Sequence, residues 1–111
     1  MLKEYLGKLG LSDKEQSMYL TLASVGVQPA SVIARRLSVD RVVTYKHLKK
    51  LESIGLAKVY MRDGIQYFGI TGAEGIAAHL QDREQSVDEL AAQIPSVETE
   101  LKQIMRGEGF V

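Results

Sequence analysis

At 111 residues, 45% hydrophobic and 25% charged, the chain is sized for one domain with an appendage and has an ordinary globular composition. The absence of cysteine excludes a disulfide framework and thiolate chemistry, and no apolar run approaches the roughly 18 residues of a membrane span. The formal net charge is zero, but residues 1–70 hold 11 Lys and Arg against 6 Asp and Glu while residues 71–111 hold 3 against 8, so one half is suited to a polyanion.

Leu2, Tyr5, Leu6 and Leu9 are spaced for a short opening helix. Ser12 and Glu15 form a capping-box pattern for the next, with Met18, Tyr19, Leu22, Ala23 and Val25 on or near one face and Gly26 as its stop. Pro29 suits the first position of a third helix, where its missing N–H costs nothing. Val32, Ile33 and Leu37 make the buried stripe of that helix. Ser38-Val39-Asp40 reads as a turn, and Asp40 is a good N-cap for a fourth helix over 41–54. Thr44, Leu48 and Leu51 face its core side, while Arg41, Val42, Tyr45, Lys46 and Lys49 lie largely on the other. Gly55 ends this helix, with Leu56 following as a hydrophobic contact.

Residues 57–61 and 65–70 alternate and are rich in β-formers, so they read as strands. Asp63-Gly64 between them is a strong two-residue hairpin signal. Thr71-x-x-Glu74 is a second capping-box pattern, opening a long helix. In that helix Ile76, Leu80, Val87, Leu90, Ile94, Val97, Leu101 and Ile104 fall on a heptad seam interrupted at Arg83. A sustained 3.5-residue period argues for a coiled coil and hence a homodimer. Pro95 is expected to kink this helix rather than break it. Residues 107–111 are expected to be a disordered tail.

The fold expected is mainly α with a small β-hairpin: a winged helix-turn-helix followed by a long C-terminal coiled-coil helix. Its domains would be 1–71, the winged unit, and 72–106, the dimerisation helix. Helix, turn, basic helix and hairpin, in that order, imply binding to double-stranded DNA. The basic helix is narrow enough for the major groove. Arg41 suits a guanine edge, Val42 a thymine methyl, and Tyr45 and Lys46 bases or the sugar-phosphate wall. Lys49 and Lys50 suit phosphates, and so does Ser31 at a helix start. Arg62 at the hairpin tip suits the minor groove or a phosphate. A protein-interaction adaptor with this fold is the alternative; it would not require a basic fourth helix.

Catalysis is not expected. His47 and His79 lie in separate helices, and no HExxH, GxSxG or glycine-rich phosphate loop occurs. No metal ligands, cofactor or small-molecule effector are expected. MLKEYLGKLG lacks the apolar stretch of a secretory signal, so a cytoplasmic location is expected, with no membrane contact.

The segments LGLSDKEQSMYLTL (9–22), PASVIARRLSVDRVVTYKHLKKLESIGL (29–56) and QYFGITGAEG (66–75) resemble the winged-helix domain of TrmB-type transcriptional regulators. That family has an opening like LGLS-x-x-E-x-x-x-Y-x-x-L. Its recognition helix follows V-x-R-x-x-x-Y-x-x-L-x-x-L-E-x-x-G-L, matched here by Val39, Arg41, Tyr45, Leu48, Leu51, Glu52, Gly55 and Leu56. The resemblance implies that Arg41, Tyr45, Lys46 and the hairpin tip contact DNA and that the C-terminal helix dimerises. Family members usually carry a C-terminal sugar-binding effector domain; no counterpart occurs in these 111 residues, so sugar sensing is not carried over.

Overall fold

Local chemistry sets the boundaries of each element in the computed structural model, which describes residues 1–107; residues 108–111 of the expected tail lie outside the described residues. Helix α1 (Leu2–Lys8) closes on Gly10, whose φ of 106° lets the Leu11 amide reach back to the Leu6 carbonyl at 3.1 Å. Helix α2 (Asp13–Val25) opens with a complete capping box: Glu15 N–H donates to Ser12 Oγ at 3.2 Å, and Ser12 N–H donates to Glu15 Oε1 at 3.0 Å. Gly26 closes it at φ 83°.

Gln28 and Pro29 then form a short strand, β1, before helix α3 (Ala30–Leu37). This corrects the expected place of Pro29. It is the N-cap of α3, extended at ψ 159°, and not its first helical residue. As an edge strand β1 tolerates a residue with no amide to donate. Ser38 ends α3 in the left-handed region (φ 54°), and the Val39 amide returns to the Ala34 carbonyl at 3.0 Å. Asp40 caps helix α4 (Arg41–Ser53) through Oδ1, which accepts from Val42 N–H at 2.8 Å and Val43 N–H at 3.2 Å. At the far end Leu56 N–H bonds the Leu51 carbonyl and Gly55 N–H the Glu52 carbonyl. This double closure also packs Leu56 beside Leu51, both fully buried.

Strands β2 (Ala57–Arg62) and β3 (Ile65–Ile70) pair antiparallel with Arg62 opposite Ile65. Asp63 (φ 50°) and Gly64 (φ 77°) make the two-residue turn that the sequence implies. The sheet order is β1-β3-β2, so β3 is central. Phe68 on β3 is fully buried with Leu6, Met18, Leu22, Ile33, Leu48, Leu51 and Leu56, which together form the core. Burying each such side chain contributes roughly 1.5–3 kcal/mol. The architecture is a winged helix-turn-helix.

Contacts divide the chain into two units, residues 1–79 and residues from 80 onward. Helix α5 (Gly72–Ala92) begins in the first and continues in the second. The capping box expected at its start is not made. Thr71 Oγ1 donates to the Gly55 carbonyl at 2.8 Å, and Thr71 N–H donates to the Leu56 carbonyl. The hydroxyl instead joins the end of α4 to the start of α5. In the second unit, helix α6 (Ile94–Met105) follows after Gln93 alone, which keeps right-handed helical geometry (φ −89°, ψ −4°). Pro95 thus sits in the first turn of a new helix, where its missing amide breaks no bond, and not at a kink within a single one. Residues 80–107 are exposed throughout.

Candidate nucleic-acid interface

Helix α4 separates its residues by side. Thr44, Leu48 and Leu51 are fully buried, and Thr44 Oγ1 donates to the Asp40 carbonyl at 2.9 Å, so no polar group is stranded on the core side. Arg41, Val42, Tyr45 and Lys46 are exposed on the opposite face, one turn apart in two pairs (41 with 45, 42 with 46). Val42 is 75% exposed, so its side chain is open to a partner. Tyr45 is 42% exposed and meets the buried Phe68 ring edge-on, centroids 6.0 Å apart at 81°. It is anchored at its base and open at its rim.

The basic residues of this helix divide into two classes. Arg41 and Lys46 have no ion pair or hydrogen bond among the described residues. Lys49 Nζ lies 2.7 Å from Glu52 Oε1, and that hydrogen bond holds the ammonium above its ordinary pKa. Lys50 Nζ lies 3.1 Å from Glu15 Oε2. Each of these two lysines therefore already has a carboxylate neighbour, which Arg41 and Lys46 lack among the described residues.

Glu15 is the residue that sequence reasoning placed only as a cap. Its side chain is 3% exposed, yet it carries three interactions: the Ser12 amide, Lys50, and His47 Nδ1 at 3.3 Å from Oε2. Burial pushes the carboxyl up, but these donors and the Lys50 charge outweigh it, and its pKa falls below the ordinary value. Buried Gln16 serves similarly, donating from Nε2 to the Leu11 carbonyl at 2.8 Å. A buried Glu-Gln pair in place of exposed Ala23 was not legible, because helical spacing alone does not distinguish a capping carboxylate from one that also turns inward.

At the wing, the Arg62 guanidinium lies 5.6 Å from the Tyr67 ring centroid, which stiffens an otherwise free side chain. Ser31 stands at the start of α3, whose N-cap Pro29 offers no side-chain acceptor to its first amides. Ser31, Arg41, Val42 and Tyr45 line one groove together with Ile65 and Tyr67 of the wing, about 540 Å³ in volume. Lys46, Lys49, Lys50 and Arg62 lie outside it. Gln66 also lines it, and its Oε1 is buried with no hydrogen-bond partner among the described residues.

The seam residues stand apart from one another in kind. Leu80, Val87, Leu90, Ile94, Val97, Leu101 and Ile104 are all exposed, 40–67%. Ile76 is not: it packs against the core of the first unit. Among the described residues no cluster of three or more His, Cys, Asp or Glu is placed to hold a metal ion, and no helix is long and apolar enough to cross a membrane.

Comparison with known proteins places this geometry. No curated protein sequence matches the chain. Among solved structures, TrmBL2, an archaeal chromatin protein described as showing a novel mode of DNA binding, is 24% identical with a TM-score of 0.74. The match covers 96% of this chain but 41% of that one, so this chain spans less than half of its relative's length. A MarR mutant from E. coli is 21% identical over 94% of this chain and 85% of its own (TM-score 0.58). A homodimeric winged helix-turn-helix DNA-binding domain from Mycobacterium bovis, a possible ArsR-family regulator, is 20% identical over 76% and 77% (TM-score 0.55). At these identities the likenesses establish the fold. The family model described as "Sugar-specific transcriptional regulator TrmB" matches residues 6–70, more than half of the chain. With that match, the chain belongs to the TrmB family of transcriptional regulators.

Proposed function

We propose that this protein is a homodimeric transcriptional regulator that reads the DNA major groove with the exposed face of α4. The observation that carries this reading is the pairing of two unneutralised cations, Arg41 and Lys46, with exposed Val42 and Tyr45 on a helix whose other side is locked in the core. Phosphates position such a helix, and base edges specify its register. Arg41 meets a guanine edge, Val42 a thymine methyl, and Tyr45 and Lys46 the adjoining base or sugar-phosphate wall. Ser31 and the open amides of α3 take one phosphate. Arg62 takes another beyond the wing. Lys49 and Lys50 are secondary phosphate contacts, since each must share or release its carboxylate.

The second unit supports the dimer. Seven seam positions from Leu80 to Ile104 present apolar side chains to solvent, and the charged residues of these helices lie off the seam apart from Arg83. A second copy of the same seam would cover them, leaving two α4 helices to read half-sites about 34 Å apart. The TrmBL2 and Mycobacterium bovis structures, described as DNA-binding and the latter as homodimeric, support the reading by likeness. Sugar recognition is no part of the proposal.

Fluorescence anisotropy against sites selected from a random DNA pool tests it. Arg41→Ala and Lys46→Ala are each expected to weaken binding at least tenfold, about 1.4 kcal/mol. Each should also lower the slope of log affinity against log salt by about 0.9 for every phosphate that the missing cation had neutralised. Lys49→Ala is expected to change affinity by less than Lys46→Ala. Unchanged affinity and slope in the Arg41 and Lys46 variants would show that α4 is not the reading helix.

A further inference from the structure

The groove between the start of α3, the first turns of α4 and β3 has the size of a small-molecule site, about 540 Å³ against the roughly 300–1,000 Å³ usual for such sites. Its walls are mostly apolar: Pro29, Val42, Ile65 and the rings of Tyr45 and Tyr67, with buried Phe68 behind them. Its lining includes one cation, Arg41, and no acidic residue. Arg41 has no anionic partner among the described residues. Ala30 and Ser31 of the first turn of α3 belong to the same lining, and that helix start is capped by no side chain among the described residues.

We propose that this groove binds a small planar aromatic monocarboxylate, its ring against Tyr45, Tyr67 and Ile65 and its carboxylate on the Arg41 guanidinium. The aromatic rings favour a flat apolar body, because stacked and edge-on ring pairs add to simple area burial. Arg41 favours a carboxylate, whose two oxygens match the guanidinium fork. A single lining cation favours a single charge over a polyphosphate. A phosphate-rich nucleotide would leave most of its charge uncompensated against apolar carbon. Because the site shares Arg41, Val42 and Tyr45 with the proposed DNA face, its occupant and DNA would exclude one another; that consequence alone rests on the DNA reading.

Amide NMR of the full chain, titrated with naphthoate and separately with naphthalenemethanol as the neutral probe, tests the site without DNA. Expected are saturable shifts at Arg41, Ile65 and Tyr67 with naphthoate. In the Arg41→Ala protein, naphthoate affinity should fall at least tenfold while naphthalenemethanol shifts as before. Arg41 is exposed, so this variant is expected to retain the wild-type spectrum elsewhere. A Ser31→Trp protein, with an indole projected into the groove, should lose both probes. The proposal is overturned by naphthoate shifts that do not saturate, that map away from this groove, or that survive the Arg41 change. Failure here leaves the DNA reading standing, and failure of the DNA reading leaves this titration unaffected.

Discussion

Lys50 Nζ lies 3.1 Å from Glu15 Oε2, which ties the proposed reading helix to the helix that opens the core. His47, one turn earlier, approaches the same oxygen at 3.3 Å. A single carboxylate thus caps the start of α2 and contacts two residues of α4.

This arrangement predicts an acid-sensitive fold. The Glu15 carboxyl is lowered from 4.5 in the folded chain. Its contribution is therefore complete above the ordinary carboxylate value and is lost as pH falls through the folded one. Glu15→Gln should lower stability at neutral pH by about 1–3 kcal/mol, the usual range when a buried charge-assisted hydrogen bond is broken. It should also flatten the acid limb of the stability curve. Thermal unfolding followed by circular dichroism at pH 7 and at pH 4 checks both, and a variant as stable and as pH-sensitive as the wild type would contradict them.

Gly75 predicts a steric effect. A Cβ there would collide with the Thr71 side chain and come within 2.7 Å of the Gly55 carbonyl oxygen, the two groups joined by the Thr71 hydroxyl. Gly75→Ala should destabilise the first unit by about 1–3 kcal/mol as overpacking, although alanine is the better helix former by about 1 kcal/mol. Urea unfolding should give a lower midpoint; a higher one would mean that helix propensity wins.

The seam predicts an assembly effect. With Leu90 and Leu101 exposed in the single chain, light scattering of the wild type should report twice the 12.3 kDa chain mass. Leu90→Lys combined with Leu101→Lys should report one chain, because a dimer would bury those ammonium groups without partners. The first unit's unfolding should be untouched. A wild type that scatters as a single chain at micromolar concentration would remove the homodimer from the proposed function.

Much of the fold was legible because it depends on neighbours in sequence. The Ser12 capping box, the Asp40 cap, the Asp63-Gly64 turn and the Gly55 closure each rest on a few adjacent residues whose local hydrogen bonds suffice. The exposed face of α4 followed from helical spacing. Features that depend on distant neighbours were not legible. Pro29 joins a strand because β3 passes beside it, with Tyr67 as its register partner. Thr71 gives its hydroxyl to Gly55, sixteen residues away, and not to a local cap. Ile76 continues the heptad in sequence yet packs on the core of the first unit.

The sequence by itself determined where α1 to α4 lie to within a residue or two, and which face of α4 carries Arg41 and Lys46, since those follow from period, caps and turn chemistry within a few residues. Only the tertiary structure decided how the charges are shared: Lys50 with Glu15, Lys49 with Glu52, Arg41 with nothing among the described residues. It also decided that Tyr45, Tyr67 and Arg41 border one groove. The physical reason is range. Caps and turns are bonds along the chain, whereas ion pairing and cavities arise from side chains brought together by burial of a core that no local segment possesses.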